Sequence, residues 1–213
     1  MDKIRYFGVA CAIVAEMFGV AYLIDSIVFS GFNGAAAALV ASTLLQLALV
    51  IAMLVGFFGN RKRLLFGALM VSMAYNGFDY LMGDIESCFP FDTFFKDHPW
   101  AEATNMLIYC IVDFLWAIAV IFVFATTFAR AKRLGITPSV ILFFVLGGLL
   151  IVNSVFGFIA GTENGSGDPV SGLGCLGDGF TLFEYALGLQ YCFNEEAAVA
   201  DVGILPDGPS PLQ

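Results

Sequence analysis

Asn105 to Phe128 reads NMLIYCIVDFLWAIAVIFVFATTF, a run whose one charged side chain is Asp113. At about 1.5 Å of rise per residue, a helix of this length crosses the roughly 30 Å hydrocarbon core of a bilayer. A helix on the surface of a soluble domain would carry a charged or polar face toward water. This stretch has no such face, so it predicts a membrane-spanning helix, and the rest of the chain is read outward from it.

Four more runs of comparable length flank it: residues 4–24, 35–58, 64–82 and 139–160. Pro138, which suits the first turn of a helix, opens the last of them. Lys3 and Arg5 give the first run the look of a cleaved leader, but its apolar stretch is long enough for a full span, so it is read as a retained helix. The predicted fold is an all-α polytopic membrane bundle of five transmembrane helices occupying residues 1–161.

Composition supports a lipid environment. Of the 213 residues, 60% are hydrophobic and 13% charged, against about 25% charged in soluble domains. So few polar groups could not cover 23 Phe in water, whereas lipid tails accept those rings directly. The net charge of −9 argues against nucleic acid as a partner, because that binding rests on Lys and Arg neutralising phosphates.

Basic residues set an orientation. All nine Lys and Arg except Lys96 fall in three places: Lys3 and Arg5, then Arg61, Lys62 and Arg63, then Arg130, Lys132 and Arg133. With five spans these three places share one side. The positive-inside rule makes that side cytoplasmic and puts the amino terminus there. The carboxyl tail, residues 162–213, is then extracytoplasmic. Within it, residues 180–193 form an apolar segment interrupted by Glu184 and Gln190. Its length falls short of a span, so it is read as a short interfacial or re-entrant helix on the outer face. Residues 83–104, with Cys88, Phe94, Phe95, His98 and Trp100, read as an aromatic loop at headgroup level.

Ionisable residues inside a bilayer are the best pointer to function. Glu16, Asp79 and Asp113 lie within the runs, and the one Lys, Arg or His in them is Arg5, at the very start of the first. Helical rise puts Glu16 and Asp113 about 12 Å below the outer surface, Asn76 and Asn153 about 10 Å and Asp79 about 5 Å. Gln46 is somewhat deeper. Ser72, Asn76, Asp79 and Gly83 share one helix face by their spacing. These residues predict a shared polar layer open to the outside, in which acids without basic partners either hold a cation or keep a proton. A milder reading has them hydrogen-bonding one another to lock the bundle. Gly157 and Gly161 form a GxxxG pair suited to close helix packing.

Cys175 and Cys192 flank the apolar tail segment and are candidates for a disulfide, with Cys88 as the alternative partner. Cys11 and Cys110, within the runs, read as small packing residues. Asn164-Gly165-Ser166 is a glycosylation sequon. Gly172-Leu173-Gly174-Cys175-Leu176-Gly177 has the GxGxxG spacing but follows no predicted strand. No nucleophile elbow, zinc motif or phosphate loop is present, so no catalytic residue, metal or cofactor is predicted, and lipid is the one small ligand class suggested. The expected function is a non-catalytic membrane subunit or scaffold that assembles with itself or within a larger membrane complex. The alternative is a proton or cation transporter or channel that uses the intramembrane acids.

Overall fold

A computed structural model describes residues 2–30, 34–87, 99–128, 132–163 and 170–201. Cys88, His98, the sequon at Asn164 and the Pro-rich end of the chain lie outside the described residues, as does the side chain of Asp79. Every described element is helical: α1 (Asp2–Ser30), α2 (Gly34–Phe58), α3 (Lys62–Ser87), α4 (Trp100–Phe128), α5 (Lys132–Glu163) and α6 (Val170–Asp201). Four of these contain stretches long and apolar enough to cross a membrane: Lys3–Val28, Ala37–Phe58, Trp100–Ala125 and Thr137–Glu163. The third predicted run, 64–82, lies wholly within α3.

The bundle leaves apolar side chains exposed and buries a set of polar ones. Large hydrophobic side chains stay exposed along α1, α2, α4 and α5, among them Ile24, Leu44, Phe114, Ile121 and Val152. Soluble monomers rarely leave such continuous apolar surface uncovered. Ser72, Asn76, Asn105, Asp113, Asn153 and Glu184 are instead buried. The pattern is compatible with an integral membrane protein.

The principal correction concerns the tail. Residues 180–193 are not a short helix of their own, because they form the middle of one continuous helix, α6, of 32 residues. Leu182, Tyr185, Ala186 and Leu189 on it are fully buried, and it packs mainly on α5 and α1, with further contact to α3. The helix Val170–Asp201 therefore packs into the bundle. Pro138 also differs from expectation, since it lies inside α5 rather than at its start.

Glycines allow α6 to reach the centre. A Cβ added at Gly157 would sit 2.7 Å from the Gly172 nitrogen, and one at Gly147 would sit 2.8 Å from the Gly179 carbonyl oxygen. Rising numbers on α5 meet falling numbers on α6, so the two helices run antiparallel with backbones in close approach. The partner of Gly157 is thus Gly172, across the interface.

The far end of α6 is tied to the basic end of the bundle. The α2–α3 turn closes with the Arg61 N–H on the Gly56 carbonyl at 2.9 Å and Asn60 in the left-handed region, φ 52°. This is a Schellman-type stop with Asn in the position usually held by Gly. Arg5 of α1 donates from Nε to the Phe57 carbonyl and from Nη2 to the Phe58 carbonyl, both at 2.9 Å. It thereby caps the negative end of α2. Tyr191 of α6 donates its hydroxyl to Asn60 Oδ1. Arg5 and Lys62 lie 5.9 and 5.4 Å from the centre of the Tyr191 ring, within cation–π range.

Candidate functional site

A cavity of about 620 Å³ opens between α1, α2, α3, α4 and α6. Glu16, Gln46, Asn76 and Asp113, four of the residues expected to form the polar layer, line it together. Among the described residues, none that lines it is Lys, Arg or His. Ser42, Thr43, Tyr22 and Tyr109 add hydroxyls, while Phe18, Leu39, Met53 and Met106 supply apolar wall.

One wall is a closed hydrogen-bond ring. Gln46 Nε2 donates to Asn76 Oδ1, and Asn76 Nδ2 donates to the Tyr185 hydroxyl at 2.7 Å. That hydroxyl is 2.6 Å from Ser72 Oγ, which donates to Gln46 Oε1 at 3.4 Å. With Tyr185 donating to Ser72, each of the four side chains both gives and receives. Such a network is neutral and self-satisfied, so it fixes α2, α3 and α6 relative to one another. Trp116 and Phe143 pack edge-on against the Tyr185 ring at 5.9 Å each.

The acidic wall is different. Glu184 is 1% exposed, and its Oε1 is buried without a hydrogen-bond partner. Glu16 Oε1 is in the same condition. The two carboxyls, on α6 and α1, line the same cavity. Asp178, one turn and a half up α6, accepts from the Tyr109 hydroxyl at 3.0 Å. An unsatisfied buried acceptor costs free energy, so the chemistry of the cavity at Glu16 and Glu184 calls for a donor or a cation.

Beyond Glu184 toward the basic end the bundle is packed shut. Phe57, Leu65, Leu69, Leu189 and Tyr191 are buried to 2% exposure or less. The polar space therefore reaches roughly to the middle of α6 and stops against apolar side chains.

Asn153 does not join this cavity. It pairs with Asn105: the Nδ2 of each donates to the other's backbone carbonyl, at 3.3 Å from Asn105 and 3.1 Å from Asn153, and both amides reach Cys175 Sγ. This buried knot joins α4, α5 and α6. The proposed Cys175–Cys192 disulfide is absent: Cys11, Cys175 and Cys192 are free thiols. The two α6 cysteines lie about 25 Å apart along one straight helix at 1.5 Å per residue, far beyond bridging distance. Cys110, read as a packing residue, is disulfide-bonded.

Sequence reasoning noted Glu184 only as an interruption and did not place Asp178 or Tyr185 in the site. Their spacing with Thr181, three to four residues apart, puts them on one helical face and was the available signal. Among the described residues no His, Cys, Asp or Glu cluster is suited to a metal ion. Compared with known proteins, the chain matches no family model, no curated protein and no solved structure.

Proposed function

We propose that this chain is an integral membrane protein that binds a cation in the central cavity and carries it across the bilayer. The observation that supports this reading is a bundle-centred cavity lined by Glu16, Asp113, Asp178 and Glu184 with no basic residue among its described lining. Carboxylates in a low-dielectric space attract cations far more strongly than in water. They are costly to keep there without a use.

All six helices cross the membrane on this reading, with α6 as the sixth span. The amino terminus and the Tyr191 end of α6 then share the cytoplasmic side with the basic turns. The cavity faces outward, and the apolar plug around Phe57, Leu69 and Leu189 closes the inward path. The arrangement suits one state of an alternating-access cycle, in which helices rock around a central site.

The test is flux in liposomes reconstituted with the purified chain. Glu184→Gln should reduce cation uptake at least tenfold while the protein remains monodisperse in detergent. Wild-type flux no greater than that of empty liposomes would defeat the proposal. The subunit or scaffold reading keeps one specific support: the α2 span is only 11% buried, the least of the four, leaving a face for a second membrane chain.

A further inference from the structure

The cavity's size and walls say which cation it takes. A volume of about 620 Å³ falls in the range of small-molecule pockets, roughly 300–1,000 Å³. A bare alkali ion or a proton needs almost none of it, since one water occupies about 30 Å³. Calcium and magnesium take six or more oxygen ligands, and among the described residues no group of His, Cys, Asp or Glu is suited to a metal ion.

The polar and apolar lining is divided. The amide ring of Gln46, Asn76, Ser72 and Tyr185 is satisfied internally, and Asp178 is engaged by Tyr109. Glu16 Oε1 and Glu184 Oε1, also in the lining, are buried acceptors without a hydrogen-bond partner. Glu184 is almost wholly buried. Phe18 also lines the cavity and stacks on Phe180 at 6.1 Å with planes 11° apart. Met53 and Met106 present thioethers. Aromatic faces and soft thioether chains favour the methylenes next to a cationic nitrogen.

Resting on the cation-binding reading above, we infer that the cavity takes a small organic amine in its ammonium form. The nitrogen sits between Glu16 and Glu184, and the hydrocarbon part lies along Phe18, Met53 and Met106. An ammonium carries three N–H donors, enough to satisfy both open carboxyl oxygens at once. The apolar wall then accepts a body that a metal ion or proton does not have.

The inference is tested on the purified chain in detergent with 2-phenylethylammonium and hexylammonium, against the neutral isosteres 2-phenylethanol and 1-hexanol and against sodium and potassium. The ammonium probes should raise the thermal unfolding midpoint in a saturable way, with at least tenfold tighter apparent binding than the alcohols. Glu184→Gln should lose that difference, and Glu163→Gln, at an exposed position outside the cavity, should keep it. Should Glu184→Gln fail to fold, the unaltered chain gives a second measurement: a hydrophobic carbodiimide should modify Glu184, and the ammonium probes should slow that modification at least fivefold while the alcohols do not. Equal behaviour of ammonium and alcohol probes overturns the inference. Stabilisation by sodium or potassium alone overturns it while leaving cation binding intact, and no response to any cation overturns both.

Discussion

The Tyr185 hydroxyl accepts a hydrogen bond from Asn76 Nδ2 at 2.7 Å and stands 2.6 Å from Ser72 Oγ, joining α6 to α3 in the middle of the bundle. Tyr185→Phe removes one member of the ring and leaves the Asn76 amide without its acceptor. A buried polar group stripped of its partner costs about 1–3 kcal/mol. The thermal midpoint in detergent should fall accordingly. Tyr75→Phe is the control. Its hydroxyl reaches Ser42 Oγ at 2.9 Å in a half-buried setting, where the loss should be about 0.5 kcal/mol. Equal midpoints for the two variants would show that the ring does not hold the helices together.

Adjacent glycines on α5 give a sharper contrast. A Cβ at Gly147 meets the Gly179 carbonyl oxygen and the Phe183 ring, both at 2.8 Å, whereas a Cβ at Gly148 meets nothing within 4 Å. Gly147→Ala must push α6 away from α5, and overpacking of this kind costs about 1–3 kcal/mol. Gly148→Ala should be neutral or slightly stabilising, since Ala is the better helix former. Thermal midpoints of the two single variants decide the matter, and a destabilised Gly148→Ala beside an unchanged Gly147→Ala would reverse the assigned helix faces.

What the sequence made legible was set by which helices leave apolar side chains exposed. The four apolar helices were read directly, because hydropathy measures exposure to hydrocarbon. α6 was missed because its surroundings are protein: Asp178, Glu184 and the glycines at 172, 177, 179 and 188 lower its apolar character yet suit a helix packed on several sides. Height along the helices follows from rise per residue, and Glu16, Asn76 and Asp113, placed in one layer, line one cavity with Gln46, placed somewhat deeper. Azimuth does not follow from it. Asn153 lies on α5, which does not line the cavity, and it turns to Asn105 and Cys175.

The cysteines offer a chemical check of the packing. Alkylation of the unfolded chain without reductant should label Cys11, Cys175 and Cys192, and should leave Cys110 unlabelled until reductant is added. Peptide mass spectrometry reads the outcome. Protection of Cys175 and Cys192 before reduction would mean that α6 is not the continuous helix described here.

Topology gives the most consequential prediction. Tyr191 binds Asn60 and stacks under Arg5 and Lys62, so the end of α6 lies beside the start of α1 and the α2–α3 turn. Six crossings follow if all helices span, and an even number brings both termini to one side of the membrane. Protease-cleavable tags before Met1 and after Gln213 should therefore be cut from the same face of sealed vesicles, the face that also exposes Arg61 and Lys62 to labelling. Five spans with an outer tail would separate the tags onto opposite faces. That result would leave Tyr191 on the far side of the bilayer from Asn60, and no rearrangement of side chains could then restore their contact.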